Sequence, residues 1–141
     1  MEYNMTAPIH ILLVEDEDIN NYIATRLIQK ALPGAAVTSC SNGRQALELL
    51  TEIKDDTSKL PDIILLDISM PIMNGWQFLD EYNRRKIDPV GKSAIFILSS
   101  SVYSDDMNRA RLYSQVKSFI CKPLNVEKIR ELFRAEEAVQ G

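Results

Sequence analysis

Asp62-Ile63-Ile64-Leu65-Leu66-Asp67-Ile68-Ser69-Met70-Pro71 is an apolar run of strand length that closes on a carboxylate. Ile63 to Leu66 show no polar face, which is how a strand reads when helices cover both sides of a parallel sheet. Asp67 therefore stands at a strand's end, and Pro71 and Gly75 beyond it mark a loop. Open α/β sheets bind ligands outside the carboxyl ends of their strands, which makes Asp67 the first candidate for chemistry. Taken alone, the run is better read as an aspartate that only caps the following turn. The rest of the chain has to decide between the two.

Working outward, the same pattern recurs. Ile9 to Val14 is an apolar run that stops at Glu15-Asp16-Glu17-Asp18. Ile19, Tyr22, Ile23, Leu27 and Ile28 then recur at helical spacing, with Asp18 as the expected N-cap and Pro33-Gly34 as the stop. Ala35 to Cys40 reads as a short strand, and Ser41-Asn42-Gly43 opens a helix with Ala46, Leu47, Leu50 and Ile53 on one face. Lys54 to Lys59 is a polar loop. After the central strand, Trp76, Phe78, Leu79 and Tyr82 predict a third helix that ends in Arg84-Arg85-Lys86. Ala94 to Leu98 is a second strand without a polar face, and it ends in Ser99-Ser100-Ser101. A weaker helix is expected from about Asp105 to Tyr113. Ser118 to Cys121 is a fifth strand ending in Lys122-Pro123, and Asn125 caps a last helix carrying Val126, Ile129, Leu132 and Phe133. Five strands alternating with five helices imply right-handed crossovers and a mostly parallel, doubly wound α/β sheet.

The 141 residues, 45% hydrophobic and 26% charged, suit one globular domain. Expected boundaries are a flexible segment at 1–8, the folded domain at 9–136 and a flexible tail at 137–141. The net charge of -4 and the absence of a basic stripe argue against nucleic acid as the main partner. Met1 to Pro8 resembles neither a signal peptide nor a membrane span, so a cytoplasmic location with no membrane partner is expected. Cys40 and Cys121, without CxxC spacing, read as reduced, buried thiols. His10, the lone histidine, lies in the first strand away from the acidic edge and reads as structural. Trp76 reads as a packing residue.

Each strand end at one sheet edge contributes a reactive type: Glu15 and Asp16 from the first strand, Asp67 from the third, Ser99 from the fourth, Lys122 from the fifth. Carboxylates gathered there repel by about 4 kcal/mol per pair at ~4 Å and an effective dielectric near 20. A hard divalent cation relieves that, and oxygen ligands without histidine or thiolate favour Mg²⁺ over zinc. A carboxylate nucleophile, a cation, a lysine and a hydroxyl together can hold a phosphoryl group and let Asp67 attack in line. Each piece also has a plain reading: a surface strand exit for Lys122-Pro123, a polar loop for Ser99 to Ser101, a helix N-terminus for Glu15 to Asp18.

Val14-Glu15-Asp16, Leu66-Asp67-Ile68-Ser69-Met70-Pro71 with Asn74-Gly75, Ser99 after an apolar strand and Lys122-Pro123, in that order, resemble the bacterial two-component response-regulator receiver domain over about Ile9 to Phe133. The resemblance implies a flavodoxin-like sheet of order 2-1-3-4-5. It implies that Asp67 is phosphorylated by a sensor histidine kinase or histidine phosphotransfer protein. Asp16 and Asp67 would bind Mg²⁺ directly, Ser69 through its backbone carbonyl, and Glu15 directly or through water. Lys122 would pair with Asp67 or the phosphoryl oxygens, Ser99 would donate its hydroxyl to the phosphoryl group, and Phe119 would be the aromatic that follows Ser99. Such a domain catalyses its own aspartyl phosphorylation and dephosphorylation. With no second domain after Phe133, it is expected to act alone through an output partner, its signalling face made by the fourth helix, fifth strand and fifth helix, with a homodimer as one outcome of activation. Glu15, Ser99, Ser100 and Phe119 stand where Asp, Thr, Ala and Tyr are commoner in that family. Two rivals share the residues. One is a Mg²⁺-dependent haloacid-dehalogenase-type phosphatase or phosphotransferase, which would need an aspartate where Ser69 stands. The other is a pseudo-receiver that only binds. Acyl-phosphate formation from a small phosphodonor separates all three.

Overall fold

The computed structural model describes residues 8–70, 72–100 and 104–140. The expected N-terminal segment up to residue 7, Pro71, Ser101 and the final Gly141 lie outside the described residues. Along the chain run β1 (His10–Val14), α1 (Asp18–Ala31), β2 (Ala36–Cys40), α2 (Gly43–Ile53), β3 (Ile63–Asp67), α3 (Gly75–Arg84), β4 (Ala94–Ser99), α4 (Ser104–Ala110), β5 (Val116–Cys121) and α5 (Val126–Gln140). The strands form one sheet in the order β2-β1-β3-β4-β5, with every neighbouring pair parallel.

Strand residues alternate between two cores, as the two-residue period of a strand requires. Leu12, Val14, Ile64, Leu66, Ile95 and Ile97 face one side and pack with Leu47 and Leu50 of α2 and Phe78 and Leu79 of α3. Ile11, Leu13, Ile63, Leu65, Phe96 and Leu98 face the other and pack with Ala24 and Ile28 of α1 and Ile129 of α5. Every residue of β3 is buried, the physical content of its missing polar face. His10 sits at the start of β1 with Nε2 3.0 Å from Thr38 Oγ1 on β2. Trp76 is buried in α3, as a packing residue should be. No helix among the described residues is long and apolar enough to cross a membrane.

Four local expectations need correction. The inward face of α1 is Ala24, Ile28 and Ala31, whereas Ile19, Tyr22 and Ile23 are 72%, 63% and 50% exposed. α1 lies against the sheet with α5 beside it, and the small alanines permit that close approach where bulkier side chains would not. Its N-cap is Glu17, not Asp18, and no side chain caps it. Cys121 is exposed while Cys40 is buried: both lie on edge strands, but on β5 the inward position falls to Ile120 and on β2 it falls to Cys40. α4 is shorter than expected, ending at Ala110, and β5 begins earlier, at Val116.

Candidate phosphoacceptor site

Parallel register brings the strand ends together. Val14 pairs with Leu66, Asp67 with Leu98 and Ser99 with Cys121, so the residues that leave β1, β3, β4 and β5 emerge side by side. Main-chain bonds hold the exits in place: Glu15 N donates to Cys40 O at 3.1 Å, Ile68 N to Leu98 O at 3.1 Å and Lys122 N to Ser99 O at 2.8 Å. The loop after Asp67 folds back through a bond from Gly75 N to Ile68 O at 3.0 Å. A Cβ on Gly75 would stand 2.9 Å from Ile68 Cα, so this return needs a glycine. In the same loop Ile72 has φ 69, a left-handed conformation that β-branched residues rarely take.

Lys122 Nζ lies 3.1 Å from Glu15 Oε1 and 3.2 Å from Asp67 Oδ2, bridging two carboxylates that are 3% and 4% exposed. Asp67 also does what the plain reading assigned it: Oδ1 accepts the Ser69 N–H at 3.1 Å. One oxygen shapes the turn, and the other faces the lysine. Glu15 divides its oxygens likewise, Oε2 accepting the Glu17 N–H at 3.2 Å. Asp16 completes the group, and ligand oxygens of Glu15, Asp16 and Asp67 lie within 4.8 Å of one another. Ser99 is buried at the end of β4, Ser69 is exposed, and Phe119 is half-buried on β5 opposite Ile97. Glu17 is exposed outside the cluster.

Burial pushes the Asp67 carboxyl up to about 6, aided by the Glu15 charge and opposed by the Ser69 N–H and the Lys122 ammonium. Burial works against the Lys122 ammonium too, but the Asp67 and Glu15 carboxylates outweigh it and hold its pKa above the ordinary lysine value. One ammonium among three carboxylates leaves negative charge uncompensated, and the crowded all-oxygen donor set is of the kind that takes a hard divalent cation.

Two supporting residues carried no signal in the sequence pattern. Asn21 Nδ2 donates to Glu15 O at 3.2 Å, tying α1 to the acidic turn. Lys128 Nζ donates to Cys121 O at 2.7 Å and Pro123 O at 2.9 Å, the carbonyls on either side of Lys122. A polar residue such as Asn21 in the first turns of a helix is the only hint that could have pointed to the former.

The family model described as "Response regulator receiver domain" matches residues 11–134. The chain belongs to that family. Among relatives of this receiver domain, the chemotaxis protein CheY of Thermotoga maritima is 33% identical over 122 residues, covering 86% of this chain and 91% of that one. A protein-glutamate methylesterase/protein-glutamine glutaminase of Treponema pallidum is 38% identical over 96 residues, but the chain spans only 21% of its length. A crystal structure of a two-component response regulator from Cytophaga hutchinsonii superposes with a TM-score of 0.81 at 29% identity, covering 92% of this chain and 97% of that one. The receiver domain has the flavodoxin-like sheet order that the resemblance implied, and the haloacid-dehalogenase-type alternative loses its ground. Receiver domains as a family accept phosphoryl groups, bind Mg²⁺ at an acidic pocket and interact with histidine kinases or phosphotransfer proteins.

Proposed function

We propose that Asp67 accepts a phosphoryl group from a sensor histidine kinase or histidine phosphotransfer protein, and that the resulting acyl phosphate switches the α4, β5 and α5 face for binding of a partner. The observation that carries this reading is the Lys122 ammonium held between Asp67 Oδ2 and Glu15 Oε1 beside a third carboxylate. Asp67 Oδ2 is the nucleophile. As it bonds to phosphorus, the donor's P–N bond breaks and its electron pair stays on the imidazole. Lys122 turns from the carboxylates to the phosphoryl oxygens, and the Ser99 hydroxyl donates to another of them. Glu15, Asp16, Asp67 and the Ser69 carbonyl would hold Mg²⁺, which when bound supplies positive charge for the equatorial oxygens. The exposed Ile19, Tyr22 and Ile23 on α1, which starts directly after the acidic turn, offer a phosphodonor an apolar rest beside the pocket.

The switch follows from the strand ends. Ser99 turns toward the new acceptor oxygens and draws the β4–α4 connection with it, and Phe119, which borders a cavity of about 190 Å³ with Met107, Ala110 and Val116, swings inward. Completing the burial of its ring is worth on the order of 1.5 to 3 kcal/mol at most, enough to shift a two-state surface roughly ten- to a hundredfold. The domain at 9–136 works as one folded unit in the cytoplasm, using protein partners rather than nucleic acid or membrane.

The test is phosphoryl incorporation from acetyl phosphate, followed by an NMR comparison with and without beryllofluoride. Wild type should incorporate, and Phe119 and residues 105–113 should shift. Ser99→Ala should still incorporate, more slowly, with those shifts lost. No incorporation in the wild type would leave the pseudo-receiver reading standing, and full shifts in Ser99→Ala would remove the serine from the mechanism.

A further inference from the structure

We propose that one stripe of α3, made by Trp76, Asp80 and Asn83, is a latch for the α4–β5 segment, and that the contact of Arg109 with Trp76 is the part that opens when Asp67 is modified. The opening step rests on the phosphoacceptor reading; the latch itself does not.

Of the described side chains of the seven-residue α4, only Ala110 is buried, so the sheet holds this helix weakly. Among the described residues, side-chain contacts also attach this helix and the chain after it to α3. Arg109 Cζ lies 4.7 Å above the Trp76 ring centroid. The Tyr113 ring stacks on Trp76 with centroids 5.9 Å apart and planes at 26°. Tyr113 Oη donates to Asp80 Oδ1 at 2.7 Å, and Gln115 Nε2 donates to Asn83 Oδ1 at 2.7 Å. Positions 76, 80 and 83 follow the spacing that places residues in one row along a helix. Trp76 is buried in the same core as Phe78, Leu79 and Tyr82, while Asp80 and Asn83 continue its row onto the exposed flank. α3 thus packs on the fixed body and also holds Arg109, Tyr113 and Gln115 of the α4–β5 segment.

The three residues that make these contacts are not equal. Tyr113 and Gln115 lie beyond α4, next to β5, and hold by hydrogen bonds in addition to ring stacking, which makes them the hinge. Arg109 lies within α4, nearer the strand end that answers to Asp67. A cavity of about 470 Å³ bounded by Ile68, Ser69, Met70, Asn74, Trp76 and Asp106 separates the first turns of α4 from the loop after Asp67, leaving room for α4 to move. A cation–π contact whose guanidinium stays in solvent, as that of the exposed Arg109 does, biases an equilibrium only about two- to fivefold, so it holds the resting position and still yields to a phosphoryl group.

Trp76 is the chain's single tryptophan, so its emission reports the latch directly. In unmodified protein, Arg109→Gln should shift the Trp76 emission away from that of unmodified wild type. It should also speed hydrogen exchange of the α4 amides about two- to fivefold, and Arg109→Lys should restore most of both. Wild-type emission and exchange in unmodified Arg109→Gln would overturn the latch. In the wild type, beryllofluoride should change Trp76 emission together with the NMR shift of Phe119; a Phe119 shift with unchanged Trp76 emission would overturn the opening step. If beryllofluoride shifts nothing, the Asp67 amide included, the phosphoacceptor reading fails and takes the opening step with it, and the unmodified-protein arm alone still decides the latch.

Discussion

The two edges of the sheet are built from the same residue types and do opposite things with them. At the N-terminal edge, Asp62 Oδ2 accepts the His10 N–H at 2.8 Å, and Asp88 accepts the Lys92 and Ser93 N–H groups at 2.9 and 2.7 Å. The lysine there, Lys92, points its ammonium chiefly at main-chain carbonyls, reaching Leu60 O at 2.7 Å and Thr57 O at 3.0 Å. At the C-terminal edge, Glu15 and Asp67 each give one oxygen to a main-chain N–H and turn the other to Lys122, with Asp16 adding a third carboxylate. Main-chain donors take both oxygens of Asp88 and one of Asp62, whose other oxygen stands 4.0 Å from Lys92 Nζ, so the lysine there faces one carboxylate and not a cluster, and this edge holds the fold. The second keeps acceptor capacity and negative charge in reserve. Reactivity resides in that surplus, not in the presence of aspartate and lysine.

The largest effect that would separate the edges is on phosphoryl uptake. Asp67→Asn should abolish incorporation from acetyl phosphate, since an amide is a very weak nucleophile, while Asp62→Asn should retain it; labelling of intact protein followed by mass spectrometry reads both. Label persisting in Asp67→Asn would move the site elsewhere. Mg²⁺ binding comes next. Asp16→Ala should weaken it about ten- to a hundredfold, roughly 1.4 to 2.8 kcal/mol, and Glu17→Ala hardly at all, as titration would show; equal losses would mean that the acidic turn is arranged differently from the cluster described. Excess chelator should stop labelling.

At the opposite edge the expected effect is on stability alone. Asp88→Ala strands the Lys92 and Ser93 N–H groups, the latter in a buried residue, and should cost about 1 to 3 kcal/mol in urea unfolding with phosphoryl uptake unchanged. The smallest effect is the pH dependence of the surplus. Asp67 is protonated in both folded and unfolded chains below about pH 4, so it places no burden on the fold there. As pH rises from about 4 the unfolded chain releases this proton first, and stability falls until the folded carboxyl has also ionised above about 6. Two pKa units correspond to about 3 kcal/mol at most, which solvent at the pocket mouth reduces to roughly 1 to 2. Without Mg²⁺, Asp67→Asn should therefore be more stable than wild type at pH 7 and equal to it near pH 4. Adding Mg²⁺ should close the gap by binding the folded wild type. A constant difference across that window would show that Asp67 carries no burial penalty.

The residues that make the acidic edge were legible because strands covered on both faces lose their polar alternation, so Ile63 to Leu66 and Ala94 to Leu98 announce both the sheet and the positions where it ends. Once the strand ends are known, parallel connection places Glu15, Asp16, Asp67, Ser99 and Lys122 at one edge with no further information. The cap of the last helix was legible too, Asn125 accepting the Lys128 N–H, whereas the cap of α1 fell on Glu17 and not on Asp18.

Local period and chain direction are enough for the five strands, the helices between them and the edge where their reactive ends collect. Only the tertiary structure decided which side of α1 is inside, because Ala24 and Ala31 are chosen by the narrow space against the sheet and α5 and not by their own hydrophobicity. It alone decided that Cys121 is exposed while Cys40 is buried, since which face of each edge strand is covered depends on what packs against it. It also decided which carbonyls Lys128 and Asn21 hold, and that Arg109 rests on Trp76. Such side-chain contacts leave no period in the chain. Their partners are set by where separately folded elements come to lie, and that is a property of packing.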